Sequence, residues 1–326
     1  MREITIREAL NEALIEEMKR DESVVLFGED IAGWGGTFKV TEGLLEKFGG
    51  ERVIDTPLAE TLVMGGATGM AMAGLRPVAE IMFADFIGIA MDQLCNYAAK
   101  QKYNCGVVVP MVVRTACGAR GGGMHHGQTT EGWIQNVPGL KIVMPSTPRD
   151  AKGLLKSSIR DNNPVVFFEN KAIYNLKGEV PEDDEFLIPL GEADVKREGT
   201  DITIIALSRL VPEALAAAEM LEADGLSCEV VDPRTILPLD HETIVNSVKK
   251  THNVVIAHEA PKIGGVGAEI AAMIAEEAIY ELEAPIVRVG APFTPVPFSA
   301  PLEKAWVPDR QNIVKAVKDL LLTEAV

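Results

Sequence analysis

Three stretches of this chain hold residue types that can do chemistry. The first is Asp55-Thr-Pro-Leu-Ala-Glu60, followed by Thr61–Ala73, a run built largely from Gly, Ala and Met. Glu60 stands where an extended segment turns into a helix, because Pro57 fixes its own φ and holds Thr56 extended. Two roles suit an acid there. In an apolar pocket beside Leu58, desolvation favours the protonated form, which can give up a proton. At a bare helix N-terminus, its negative charge simply meets the positive end of the helix.

The second stretch is the loop Thr115–Trp133, with Gly-Ala-Arg-Gly-Gly-Gly-Met-His-His-Gly-Gln at positions 118–128. Its glycines let the backbone bend sharply and approach a ligand closely. It can be read as a phosphate cradle, a metal site or a mobile loop carrying a catalytic histidine. No Gly-Lys-Ser/Thr signature follows the glycines, which weakens the first reading. His125 and His126 are adjacent, so they point differently in any regular structure, and no third ligand is nearby. The third stretch, Arg160-Asp-Asn-Asn-Pro164, is a turn by composition.

These stretches need a frame, and the periodicity supplies one. Thr5 and Glu8 have capping-box spacing, and Ile6, Leu10, Ala13, Leu14 and Met18 then share one helical face. Strands are expected at Val24–Phe27, Val53–Ile54, Val78–Met82, Val107–Arg114, Lys141–Met144 and Val165–Phe168. Helices are expected at Leu44–Phe48, Thr61–Ala73, Phe86–Lys100 and from Thr147-Pro148 to Ile159. Alternating strands and helices argue for a parallel sheet covered on both faces. Glu29 follows the first of these strands, in a glycine-rich loop of the kind that lines ligand crevices.

From Asn170 to Thr200 the chain turns polar and acidic, and the domain boundary is placed at 185/186. A second α/β unit follows, with strands at Ile202–Ala206, Cys228–Val231, Val254–Ala257 and Ile286–Val289. Its helices are Pro212–Ala223, Ile244–Lys250 and Ile313–Leu322. Gly264-Gly-Val-Gly-Ala-Glu269 opens a further small-residue helix. Close helix packing accounts for it better than a dinucleotide loop, since it lacks that loop's glycine spacing and downstream acid.

Composition bounds the function. A net charge of −17 repels phosphate backbones and argues against nucleic-acid binding. Cys95, Cys105, Cys117 and Cys228 form no Cys-x-x-Cys pair and read as reduced thiols of a cytoplasmic protein. Arg2–Arg20 has no apolar signal core, and no stretch approaches the roughly 20 apolar residues of a membrane span.

Asp55–Glu60, Ala73-Gly-Leu-Arg-Pro-Val78 and Met91-Asp-Gln93 resemble, in order and spacing, the β subunit of the E1 component of 2-oxo acid dehydrogenase complexes. These are thiamine-diphosphate enzymes of the transketolase superfamily, and the resemblance runs over essentially the whole chain. It implies an α/β protein of two domains with parallel-rich sheets. Residues 1–185 would form a transketolase-like pyrimidine-binding domain and residues 186–326 a transketolase C-terminal domain.

The resemblance also implies roles. Glu60 becomes the acid at N1′ of the cofactor's aminopyrimidine, Phe86 stacks on that ring, and Leu58 and Met82 line its pocket. The family's His-x-Gln pattern selects His126, with Gln128, as the catalytic histidine. The family's usual Gln and Ser around it are replaced by His125 and Gly127. Ser158, Ile159, Asp161 and Asn163 match a structural potassium site, and oxygen ligands from a turn suit a hard cation. The chain has no Gly-Asp-Gly followed by a suitably placed Asn. The Mg²⁺–diphosphate site is therefore expected on an α subunit, in an α2β2 assembly with a lipoyl acyltransferase (E2) as second partner.

The expected reaction is decarboxylation of a 2-oxo acid such as pyruvate, then reductive acylation of a lipoyl group. An acetoin dehydrogenase β subunit is the alternative, towards which Val143-Met-Pro-Ser-Thr-Pro148 and Val195-Lys-Arg-Glu-Gly-Thr200 lean. A split transketolase half and a non-catalytic α/β binding module are the remaining readings.

Overall fold

The computed structural model describes residues 1–321. The chain divides into two compact units. The first comprises Met1–Gly118 and Ile134–Leu190; the second comprises Ala119–Trp133 and the chain from Gly191 on. The glycine-histidine loop thus packs with the second unit although its sequence interrupts the first.

In the first unit, strands run in the order Lys141–Val143, Val165–Asn170, Val112–Cys117, Arg76–Phe83, Val24–Gly28 and Val53–Asp55, each parallel to its neighbour. Every residue of Val112–Cys117 and Val165–Asn170 is buried, as a parallel sheet covered on both faces requires. The expected strand Val107–Arg114 begins instead at Val112. Pro110 has no N–H to give to a central ladder, so pairing starts beyond it.

Helix Ile6–Arg20 closes its N-terminus with a reciprocal box: Glu8 N donates to Thr5 Oγ1 (3.2 Å) and Thr5 N donates to the Glu8 carboxylate (2.7 Å). It packs against helix Pro148–Arg160, which is capped by Thr147. Lys152 and Lys156 lie fully buried in that contact. Lys152 pairs with Glu12 (2.6 Å) and Glu16 (2.8 Å), and Lys156 with Glu16 (2.6 Å). Such buried lysines need partners, because an unpaired buried charge is far costlier than a paired one.

The expected helix Phe86–Lys100 is not a regular α-helix. A 3₁₀ segment, Ala84–Ala90, buries Ala84, Ile87 and Ala90, and a π segment, Asp92–Ala98, buries Leu94 and Ala98. Burial at every third residue matches the three residues per turn of a 3₁₀ helix, so packing dictates the tighter winding.

The second unit has a sheet ordered Val287–Ala291, Val254–Pro261, Ile202–Ala206, Cys228–Asp232 and Asp194–Arg197. All pairs are parallel except the last, which is antiparallel. Helices Leu210–Glu222, His241–Thr251, Val266–Ala278 and Arg310–Leu321 accompany it. The expected helix end at Leu322 lies outside the described residues. The polar stretch Asn170–Thr200 is less of a linker than its composition suggests. It contains the edge strand Asp194–Arg197, and also Lys177–Val180, which pairs antiparallel with Arg2–Thr5. Both are only partly buried, so neither needed the apolar alternation that reveals a strand.

Candidate active site

Glu60 is the first residue of helix Glu60–Met72, one residue later than the turn at Ala59 that admits it. It is 8% exposed, and its carboxylate has no hydrogen bond or ion pair among the described residues. Ala59 offers no side-chain cap, so the helix N-terminus is left to Glu60 and to whatever approaches it. Glu29 lies within electrostatic reach. Its carboxyl is held above the ordinary range, first by burial and then by the charges of Asp30 and Glu60.

The surroundings of Glu60 are mixed. Leu58 is 71% exposed, so it does not wall off the acid within this chain. Met82, at the end of strand Arg76–Phe83, and Phe86, in the 3₁₀ segment, are half-buried. Phe86 meets Phe83 edge-on, with ring centroids 6.0 Å apart. The helix carrying Glu60 packs against both of these elements. Two buried polar atoms in the flanking motifs, Thr56 Oγ1 and Gln93 Oε1, have no hydrogen-bond partner among the described residues. Buried polar groups normally find partners, so both atoms keep hydrogen-bonding capacity that these residues leave unused.

One cluster beneath the strand ends was not anticipated. Arg114 is buried between two carboxylates, donating to Glu80 (2.7 Å) and, through two nitrogens, to Glu169 (2.7 and 2.8 Å). Tyr174 adds its hydroxyl to Glu169 at 2.7 Å. Burial pulls the Arg114 pKa down, but Glu169 and Glu80 outweigh it and the net shift is upward. Burial raises Glu80 despite Arg114, and burial with the Glu169 charge raises Tyr174 well above its ordinary value. Gly36 rests against this cluster with φ +77°, and a side chain there would meet Thr41 Oγ1 at 3.1 Å and Glu80 Oε1 at 3.4 Å. The available signal was a single charge inside each apolar strand. Glu80 and Arg114 prove to be direct partners in the parallel register.

The turn Ser158–Asn163 is heavily engaged by basic side chains. Arg76 Nη1 donates to the carbonyls of Ile159 (3.0 Å) and Asp161 (2.9 Å), and Nη2 to Asn162 Oδ1 (2.7 Å). Lys141 Nζ lies 2.5 Å from Asp161 Oδ2, and Lys102 donates to Asn163 Oδ1 at 3.0 Å. Burial works against the Asp161 carboxylate, yet Lys141 and Asn163 hold its pKa below the ordinary value. The donor set suits a hard cation, and each carbonyl keeps a second lone pair. Any cation there shares its ligands with Arg76. Among the described residues, no group of three or more His, Cys, Asp or Glu forms a metal site.

In the second unit, the loop Ala119–Trp133 is held on the strand Val254–Pro261 and its neighbours. Ala119 N donates to Glu259 Oε1 (2.7 Å), and Gly121 N to Glu303 Oε2 (2.7 Å). A cavity of about 620 Å³ opens beside the loop, lined by His125, Gln128, Trp133, Phe293 and Trp306 among others. His125 is exposed; His126 is half-buried and does not line this cavity. Thus Leu58, Glu60, Met82 and Phe86 belong to the first unit, and His126 to the second.

The chain is similar to known proteins over nearly its full length. The family described as Transketolase, pyrimidine binding domain, matches residues 2–177, and Transketolase, C-terminal domain, matches residues 191–313. Three curated relatives from Bacillus subtilis (strain 168) are close to one another in similarity. The chain is 46% identical to the acetoin:2,6-dichlorophenolindophenol oxidoreductase subunit beta, covering 98% of each chain. Identity is 48% with the 2-oxoisovalerate dehydrogenase subunit beta (96% of this chain, 97% of the relative). With the pyruvate dehydrogenase E1 component subunit beta it is 46% (98% and 99%). A solved structure titled as a split gene transketolase, inactive beta4 tetramer, superposes with a TM-score of 0.80 at 27% identity, covering 99% of both chains. With both transketolase domains present in order and this identity across almost every residue, the chain belongs to the transketolase-like family of E1 β subunits of 2-oxo acid dehydrogenases.

Proposed function

We propose that this chain supplies the pyrimidine side of a thiamine-diphosphate site in an α2β2 enzyme. The supporting observation is Glu60: a carboxylate buried to 8% exposure at a helix N-terminus, with no protein partner among the described residues. Thiamine diphosphate, when bound, supplies the carbanion chemistry that breaks the bond beside a carbonyl. Glu60 holds and moves a proton at the aminopyrimidine ring. Phe86 offers an aromatic face, and Met82 and Leu58 an apolar lining that a partner subunit completes over the exposed Leu58. His126 positions and protonates during transfer of the acyl group to a lipoyl group carried by an E2 partner.

Mg²⁺ and the diphosphate are assigned to the α subunit, because this chain lacks the Gly-Asp-Gly motif. Titrating thiamine diphosphate into the β chain alone, and into the α/β complex, tests the division of labour. Mg²⁺-dependent saturable binding only in the complex is expected; tight binding by β alone would refute the half-site. Potassium at Ser158, Ile159, Asp161 and Asn163 is assigned a structural role, sharing carbonyls with Arg76. A higher melting temperature in KCl than in choline chloride at equal ionic strength is expected, and identical melting would remove the ion.

A 2-oxo acid is the favoured substrate class. Acetoin is the second reading, supported by the 46% identity with the acetoin oxidoreductase β chain. Turnover of pyruvate, 2-oxoisovalerate and acetoin by the reconstituted complex separates them. A cytoplasmic location accords with the four free cysteines and with the lack, among the described residues, of any helix long and apolar enough to cross a membrane.

A further inference from the structure

The histidine loop is fastened at both of its ends to one strand. At its start, Ala119 N donates to the buried Glu259 carboxylate at 2.7 Å, and Arg209 braces the same point, donating to Ala119 O at 3.2 Å and lying 3.6 Å from Glu259. At its end, Glu131 Oε1 lies 2.5 Å from Nε2 of His258, the residue next to Glu259 on strand Val254–Pro261. Both side chains of that pair are almost wholly buried, at 0% and 6% exposure. The approach is off the line of a hydrogen bond, and Glu131 Oε1 and Oε2 and His258 Nε2 have no hydrogen-bond partner among the described residues.

The turn that follows the strand completes the seat. A side chain on Gly132 would come within 2.5 Å of the Gly264 carbonyl oxygen, so the loop's exit lies flush against Gly264-Gly265. The middle of the loop is also held, with Gly121 N donating to Glu303 Oε2 at 2.7 Å. Gly123 lies under the Phe298 ring and Gly127 against Val296. Buried side chains of one strand thus hold the segment at both ends, with its histidines between them.

We infer that Glu131 and His258 are positioning residues for the acyl-transfer step: they fix the loop so that its histidine meets the incoming lipoyl group. This rests on the role proposed for His126. A buried ionisable pair is a poor source of net stability, whereas a reacting group displaced by about 1 Å costs on the order of 10²-fold in rate. The pair's value therefore lies in geometry, and its loss should register in one half-reaction rather than in folding.

The test uses the reconstituted α/β complex, carrying Glu131→Gln, His258→Gln or both, with whichever of the three substrates the wild type turns over. Two rates are compared: reduction of an artificial dye and acylation of a purified lipoyl domain. Each single variant should lose roughly 10- to 100-fold in kcat/KM for the lipoyl domain while dye reduction stays within about twofold. The double variant should be no worse than either single one, since the two act as a unit. Deuterium uptake at 119–130 should rise while uptake in strand Val254–Pro261 stays protected. Equal loss in both reactions, or unchanged uptake in the loop, would overturn the inference. His126→Ala runs alongside. Intact lipoyl acylation there sinks the histidine's role, while the uptake and rate split in Glu131→Gln still decide the fastening.

Discussion

Glu60→Gln should separate catalysis from stability more cleanly than any other conservative change in this chain. The substitution keeps size and hydrogen-bonding capacity but removes the ability to transfer a proton. Loss of a general acid–base group costs roughly 10²–10⁴-fold, which is about 2.7–5.5 kcal/mol of transition-state stabilisation. The effect on folding should be far smaller. Removing a charge from the helix N-terminus costs about 0.3–1 kcal/mol, and two terms oppose that cost. A carboxylate at 8% exposure no longer needs desolvation, and the repulsion on Glu29 is relieved.

The sign of the Glu29 contribution follows from its raised pKa. An acid whose folded pKa lies above its unfolded value stabilises most at low pH and loses that contribution as pH rises through the folded value. Without Glu60, the Glu29 pKa drops back towards the ordinary range, and the penalty at neutral pH shrinks. The net change in melting temperature should therefore stay within about 2–4 °C, the shift that roughly 1 kcal/mol gives a domain of this size. C2–H exchange of bound thiamine diphosphate and thermal melting are measured on the same reconstituted sample. Exchange within tenfold of wild type would refute the catalytic assignment. A collapse of melting temperature matching the lost activity would show a purely structural acid.

Two other outcomes follow. His126→Ala should impair lipoyl acylation more than dye-coupled turnover, with His125→Ala affecting it less; swapped effects would transfer the role to His125, the histidine that lines the cavity beside the loop. Arg114→Met should leave Glu80 and Glu169 buried without their shared cation and destabilise the chain by about 3–5 kcal/mol in urea unfolding. A loss near 1 kcal/mol, typical of exposed pairs, would mean that water reaches this cluster.

The signals that sequence carries reliably here are short-range. Thr5 and Glu8 are three residues apart, Thr147 and Pro148 adjacent, and the β-branched runs are continuous, so one reading of neighbours finds the helix starts and the central strands. Glu60 was legible for the same reason: a proline turn and a small-residue helix sit directly beside it. The 3₁₀ and π windings of Ala84–Ala98 were less so, because their period is imposed by the elements packed on them. The family resemblance links the proposed site residues by pattern, across distances that local physics does not reach.

What only the tertiary structure decided concerns partners far apart in the chain. Arg114 and Glu169 are 55 residues apart, and Ala119 and Glu259 are 140. No local propensity links such residues; the parallel pairing of neighbouring strands brings the first pair within reach, and strand Val254–Pro261 captures the second. That capture also places the loop Ala119–Trp133 in the second unit although it is sequentially embedded in the first. A glycine-rich loop has little preference of its own, since its backbone is free to take many paths. Buried charges that must find partners select one of them, and those charges lie on residues whose proximity is a property of the fold.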